Sequence, residues 1–342
     1  MFNYTMPRYA VFACSKRQKK DLRLIGFMLC IGLTSFPNLA NWELKETNVN
    51  ARHESTLVVA NESLYLLGGR GVKPIEFFHA KSQQWQDAVA QTSLELHHFQ
   101  AVEWQKNIYI IGAFTGRYPN ETGVENVLIF NTDSHQLTSS TAFPKNRIRG
   151  SVSAGVYNGK IYLAGGITHG HQSGSVAWFD EYDPETKRFT ALTDAPISRD
   201  HAAIAVVNDK LYHIGGRRTS AQTGQVFELT IPEVDVYDFN TQSWQTLPAL
   251  TNIPTPRAGA NVVVKGHEIW VIGGESGKHK LAHAEVEVLN TLTHTWRIAP
   301  SLNVGRHSGG AALYNEEIIV VSGSGKRGGR PELTSIEVLT DF

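Results

Sequence analysis

The chain has 342 residues, 41% hydrophobic and 19% charged, which is ordinary globular stock with ample length to bury a core. Its 32 basic and 32 acidic residues cancel, but unevenly: residues 1–40 carry six Lys/Arg against Asp21, leaving 26 basic and 31 acidic residues in the remainder. That mildly acidic remainder has no global electrostatic footprint for nucleic acid. Both cysteines, Cys14 and Cys30, fall in the first forty residues, so residues 41–342 hold no disulfide, thiolate metal site or cysteine nucleophile.

From the start of the chain, Lys16-Arg17-Gln18-Lys19-Lys20 is a basic cluster, followed by an apolar run over residues 24–36 and then Pro37 and Ala40. This is the layout of a secretory signal, and the run is shorter than the ~20 residues a spanning helix needs. Residues 1–40 are expected to be a signal peptide, with an uncleaved membrane anchor as the alternative. The protein is accordingly expected to be periplasmic or secreted, touching a membrane only through residues 1–40 if they are retained.

After residue 41 the chain repeats. Residues 199–244 show one unit: an apolar, β-branched run at Ile204 to Val207, a turn at Asn208-Asp209, a second strand ending at Gly215-Gly216, a long polar loop, then Val234 to Tyr237, a turn, and Trp244. That is four short strands in hairpin order. Five further copies align on the doublets Gly68-Gly69, Gly112-Ala113, Gly165-Gly166, Gly273-Gly274 and Ser322-Gly323. Three residues before each doublet stand Tyr65, Tyr109, Tyr162, Tyr212, Trp270 and Ile319, which are read as packing. Apolar anchors seven residues apart recur as Phe78/Trp85, Phe130/Leu137, Tyr182/Phe189, Tyr237/Trp244 and Leu289/Trp296. The sixth copy ends at Leu339 without its second anchor, while Trp42 stands alone before the first copy. The segment around Trp42 is therefore expected to pair into the last unit and close a ring, removing open strand edges.

The doublet, the preceding tyrosine and the following tryptophan resemble the kelch repeat, in a period of about 50 residues. The resemblance implies an all-β fold: a six-bladed β-propeller with four antiparallel strands per blade over residues 41–342, closed by its N-terminal strand. As a stand-alone propeller behind an export signal, the layout is also similar to the N-acetylneuraminate epimerase family. Galactose oxidase shares the kelch-like fold, but its copper site needs a Cys-linked Tyr that residues 41–342 lack.

Function in such a ring is expected at one channel mouth, where loops converge. Sixteen residues before the doublets stand Arg52, Arg149, Arg199, Arg257 and Arg306, with Leu96 in the second copy and His97-His98 beside it. Immediately after two doublets stand Arg70 and Arg217. In kelch proteins that bind acidic peptides these loop sets share a face, so the resemblance implies a ring of up to seven arginines. Those seven and His98 are the expected ligand contacts, since guanidinium forks hold carboxylates; for the five repeating arginines, bonds to blade carbonyls are the competing structural role. The expected partner is an anionic small molecule, an acidic glycan or an acidic peptide, captured without turnover. The alternative is an enzyme on acidic sugars, epimerase-like or a uronic-acid lyase, with His201 or Glu275 moving protons. The His169-x-His171 spacing and the His279/His283 pair do not by themselves make a metal site, and no metal or other cofactor is expected. The insertion at residues 218–232 is read equally as a lid or partner surface and as a shielding hairpin. The basic turn at residues 326–330 is read as a solvated loop or a rim of the same cleft.

Overall fold

The computed structural model describes residues 41–89, 91–340 and 342. The signal, the anchor and the cleavage point expected in residues 1–40 lie outside the described residues. Among the described residues no helix is long and apolar enough to cross a membrane.

Six four-stranded antiparallel sheets form in sequence order. The first blade has its strands at Ser55–Ala60, Ser63–Gly68, Ile75–His79 and Gln84–Val89. The last is built from Gly310–Tyr314, Glu317–Val321 and Ile336–Leu339, and its fourth strand is Trp42–Lys45 from the other end of the chain. Tight two-residue turns with both central φ values positive, such as Asn61-Glu62 and Asn315-Glu316, join the first two strands of these blades.

The seven-residue spacing of the anchors is a strand-pairing rule. Phe78 faces Trp85, Phe130 faces Leu137, Tyr182 faces Phe189, Tyr237 faces Trp244 and Leu289 faces Trp296 across each outer hairpin. In the last blade Leu339 faces Trp42. The missing anchor is thus supplied by the N-terminal strand, in the same register as in every other blade. Trp42 is buried and donates its indole N–H to Pro300 O at 2.8 Å.

The glycine doublets mark where neighbouring blades touch. The first glycine takes a left-handed backbone and passes so close to the next blade that a Cβ on Gly273 would stand 2.1 Å from Arg306 O. The second donates its N–H to the carbonyl of the residue at the arginine position in the next blade: Gly166 to Arg199, Gly216 to Arg257, Gly274 to Arg306 and Gly323 to Arg52, at 2.9–3.0 Å, and Gly69 to Leu96 at 2.8 Å. The aromatics before the doublets, Tyr65, Tyr109, Tyr162, Tyr212 and Trp270, are all buried. The packing and the inter-blade bonds together hold the segment just after each arginine at the channel.

Candidate functional site

The five repeating arginines lie inside the blades. Arg52, Arg149, Arg199, Arg257 and Arg306 are fully buried, and each pairs with an acid of its own blade. The partners are Glu76, Asp180 at 2.8 Å, Asp235 at 2.6 Å, Glu287 at 2.5 Å and Glu337 at 2.7 Å. Each guanidinium also donates to the carbonyl sixteen residues on, from Gly68, Gly165, Gly215, Gly273 or Ser322. This corrects the expectation that these five side chains hold a ligand, because their donors are committed to the strands they crosslink.

What does reach the channel is the residue two positions after each arginine site. Glu54, His98, Ser151, His201, Gly259 and Ser308 all have φ between +50° and +60° and line one central cavity. For side chains other than glycine this backbone is uncommon and concentrates at functional sites. The positions are joined blade to blade. His98 N–H donates to Glu54 O, Ser151 N–H to His98 O, Gly259 N–H to His201 O, Ser308 N–H to Gly259 O and Ser55 N–H to Ser308 O, while His201 N–H donates to Ser151 Oγ.

Above this ring lies a mouth cavity of about 270 Å³ lined by His53, Arg70, Tyr118, His171, Arg217, Phe227 and Glu275, with Glu54 and His98 at its floor. Of the expected ligand contacts, then, the structure brings together Arg70, Arg217 and His98. The insertion over 218–232 reaches this opening: Arg217 and Arg327 both stack on the Phe227 ring, and Phe227 O accepts the Gly277 N–H at 2.9 Å. Ala221 N–H donates to His171 O. The insertion thus spans from the third blade's loop to those of the fifth and sixth. Gly328, from the basic turn, lines the same cavity.

Both mouth arginines are already paired. Arg70, with a side chain 23% exposed, reaches Glu121 Oε1 through Nη2 at 2.5 Å. Arg217 is buried against Glu275 Oε1 at 2.5 Å and donates from Nε to Thr219 Oγ1 at 2.9 Å. Glu275 is spoken for on both oxygens, since Oε2 accepts the Gly328 N–H at 2.8 Å and lies 3.4 Å from His307 Nε2. Glu275, one of the two groups considered for proton transfer, is thus held in place by Arg217 and Gly328.

Three imidazoles converge at the floor. His98, His171 and His201 are all buried. His98 Nε2 is 3.2 Å from Glu54 Oε2, His171 Nδ1 is 3.0 Å from Glu121 Oε1, and His201 Nδ1 is 2.5 Å from Asp200 Oδ1. Asp200 is held in turn by Ser175 Oγ and by the N–H and hydroxyl of Thr219. His171 was not among the expected site residues; the hairpin formed by Ile167–His169 and Ser173–Ser175 carries it inward while His169 stays exposed. His279 and His283 line a different cavity, with Lys280 and Glu285.

Burial pushes His98 down well below the usual imidazole value, and burial together with Arg217 lowers His201. Burial pushes the Glu54 carboxyl up, but His98, His201 and His307 outweigh it and hold Glu54 well below the carboxylate range. Burial likewise acts against Glu121, where His171 and Arg70 prevail and bring it to about 2. The mouth at neutral pH is therefore a dense set of ionised carboxylates, two guanidiniums and neutral His98 and His201.

Glu275 gives a measurable consequence. Burial raises its carboxyl, yet His307 and Arg217 win and lower it from 4.5 to about 2. A carboxylate depressed in the folded state stabilises that state above its unfolded value and loses the contribution as pH falls through the folded one. Between pH 4.5 and 2 the wild-type protein is expected to lose thermal stability more steeply than Glu275→Gln. Melting temperatures at pH 7, 4 and 3 check this; parallel curves for the two proteins would contradict it.

Comparison with known proteins accords with this architecture. Residues 97–323 match the model of the KLHDC2/KLHL20/DRC7 Kelch-repeats domain. The chain is 26% identical over 290 residues to the Kelch-like protein terF of Aspergillus terreus, covering 80% of this chain and 61% of that protein. It is 27% identical over 257 residues to human Kelch-like protein 15, covering 68% of this chain and 40% of that one. It thus spans less than two thirds of either relative. Among solved structures, that of YjhT shares the fold with a TM-score of 0.69 at 17% identity, over 86% of this chain and 95% of YjhT. With the repeat, the closed ring and a family model matched across more than half its length, the chain belongs to the kelch-repeat family.

Proposed function

We propose that the channel mouth captures one small anionic ligand of the acidic-sugar class. The observation that carries this reading is the make-up of the 270 Å³ cavity, in which the partly exposed Arg70 stands beside buried carboxylates and imidazoles. A sugar acid is the chemical complement: a carboxylate for the guanidinium, and several hydroxyls that donate to Glu54 and its neighbours. The volume, near the ~300 Å³ lower end of small-molecule pockets, supports such a ligand over an acidic peptide. The exported location read from residues 1–40 belongs to the same proposal.

Calorimetric titration with N-acetylneuraminate and with uronic-acid oligosaccharides, against glucose as the neutral control, tests it. An acidic sugar is expected to bind and glucose to fail. Arg70→Ala is expected to weaken binding roughly ten- to a hundredfold, since hydrogen bonds to charged groups contribute about 1.5–3 kcal/mol; Arg188→Ala, on an exposed strand, should leave it unchanged. Equal affinity for glucose, or no effect of Arg70→Ala, sinks the reading.

Turnover of the same class of sugar is the second reading, favoured by the buried imidazoles set against Glu54, Glu121 and Asp200. Anomeric exchange seen by NMR, or unsaturated products seen by absorbance, would establish it; binding without either leaves capture alone.

A further inference from the structure

We propose that His98, His171 and His201 bind a divalent first-row transition-metal ion at the floor of the mouth. The three rings come from three successive blades, and their centroids lie 4.9, 5.0 and 5.1 Å apart, a near-equilateral triangle. One ring nitrogen of each lies within 4.8 Å of the other two. Imidazoles bound at the usual ~2.0–2.1 Å in a tetrahedral set have ring centres roughly 5 Å apart. The rings therefore already stand at the spacing that coordination demands.

The hydrogen-bond network decides which nitrogens are free. His97 Nε2 lies 3.1 Å from Gly116 O, which only accepts, so Nε2 carries the His97 proton and Nδ1 its lone pair. His98 Nδ1, 2.5 Å from that lone pair, is then the donor, and the His98 lone pair is on Nε2. Asp200 accepts the His201 Nδ1 proton, and His201 Nε2 is left buried with no hydrogen-bond partner. His171 turns Nδ1 towards Glu121. His98 and His201 are thus backed by a second imidazole and a carboxylate, the outer-shell pattern that orients metal-binding histidines, while His171 Nδ1, 3.0 Å from Glu121 Oε1, is buried without a hydrogen bond.

Two features of the site call for a cation. The buried His201 Nε2 has no hydrogen-bond partner, which is costly, and the His98 Nε2 lone pair faces the Glu54 carboxylate. An ion within the triangle satisfies both, with Glu54 as the fourth donor. Charge agrees. Of the charged groups set directly against the rings and each other, four are carboxylates (Glu54, Glu121, Asp200 and Glu275) and two are guanidiniums (Arg70 and Arg217), an excess that a divalent ion balances. Imidazole donors favour zinc, iron, nickel or copper over magnesium or calcium. The inference stands apart from the sugar-acid reading, because ion binding is measured with no organic ligand present.

Metal-stripped full-length protein titrated with Co²⁺ alone is expected to develop visible ligand-field absorption that saturates at one ion per chain and is displaced by Zn²⁺, while Mg²⁺ gives no displacement. His201→Ala and His171→Gln, made separately, are each expected to weaken Co²⁺ binding by at least about a hundredfold, beyond the 10–100-fold typical of losing an outer-shell partner. His169→Ala, exposed two residues from His171, should bind as wild type does. Folding is followed independently by circular dichroism. If His201→Ala does not fold, His171→Gln decides the matter: Zn²⁺ should raise the melting temperature of the wild type and not of that variant. No saturable Co²⁺ binding by the wild type at micromolar concentrations, or binding that survives His171→Gln, overturns the proposal.

Discussion

Arg199→Ala is expected to cost the folded protein about 3–5 kcal/mol, the range for breaking a buried ion pair from one side. Arg199 and Asp235 are both fully buried, and the guanidinium also donates to the carbonyls of Gly215 and Glu233, each at 3.0 Å. Removing it leaves Asp235 charged in a dry interior and frees two carbonyls. The second blade shows what happens when both partners are replaced: Leu96 stands at the arginine position and Leu128 at that of the acid, and the two are buried in one apolar cluster. Replacing a buried pair by hydrophobic residues of similar volume is often neutral or better. The double variant Arg199→Leu with Asp235→Leu is therefore expected to be more stable than Arg199→Ala. Urea denaturation followed by tryptophan fluorescence measures both. Should the single substitution prove as harmless as a surface change, the crosslinking role assigned to these arginines fails.

Loss of the ring closure is expected to be comparably severe. Trp42→Ala removes a 5% exposed indole packed with Val263, Trp270, Leu302 and Leu339, and large-to-small changes at such sites cost about 3–5 kcal/mol. The loss also loosens the strand that covers Ile336–Leu339, exposing an apolar edge that templates pairing with other chains. A lowered melting temperature together with concentration-dependent light scattering is the expected result. Leu44→Ala, on the same strand but 43% exposed, serves as the comparison and should change neither. A Trp42→Ala protein that melts like wild type and scatters no more light than wild type would mean that the strand is an appendage.

The two outcomes rest on residues that were legible in the sequence to different degrees. Trp42 was found by counting, because a missing partner at one end of a repeat and a spare one at the other have a single solution in a closed ring. The arginines were equally visible, but their role was misread. The signal that would have corrected it is also in the repeat: the acid lies two residues before each first anchor, at Glu76, Asp180, Asp235, Glu287 and Glu337, and the copy that lacks the arginine lacks the acid too. Such a joint replacement by Leu96 and Leu128 is what a buried pair leaves behind when both charges go.

The mouth was harder to read because its residues obey no common spacing. His98 and His201 sit at the repeat position two after the arginine, while His171 and Glu121 lie in the hairpins that follow the doublets of the third and second blades, at positions that share no common spacing. Asp200 was overlooked beside its neighbour His201, although it holds that imidazole's proton.

By itself, then, the amino-acid order determined the blade count, the strand pairing and the closure, since period, turn chemistry and anchor spacing are properties of neighbouring residues and repeat six times. Which groups meet at the mouth was decided by the tertiary structure alone. Bending six sheets into a circle drew His98, His171 and His201 together from three blades. Electrostatic partnership depends on distance through space, and the segments concerned lie far apart along the chain.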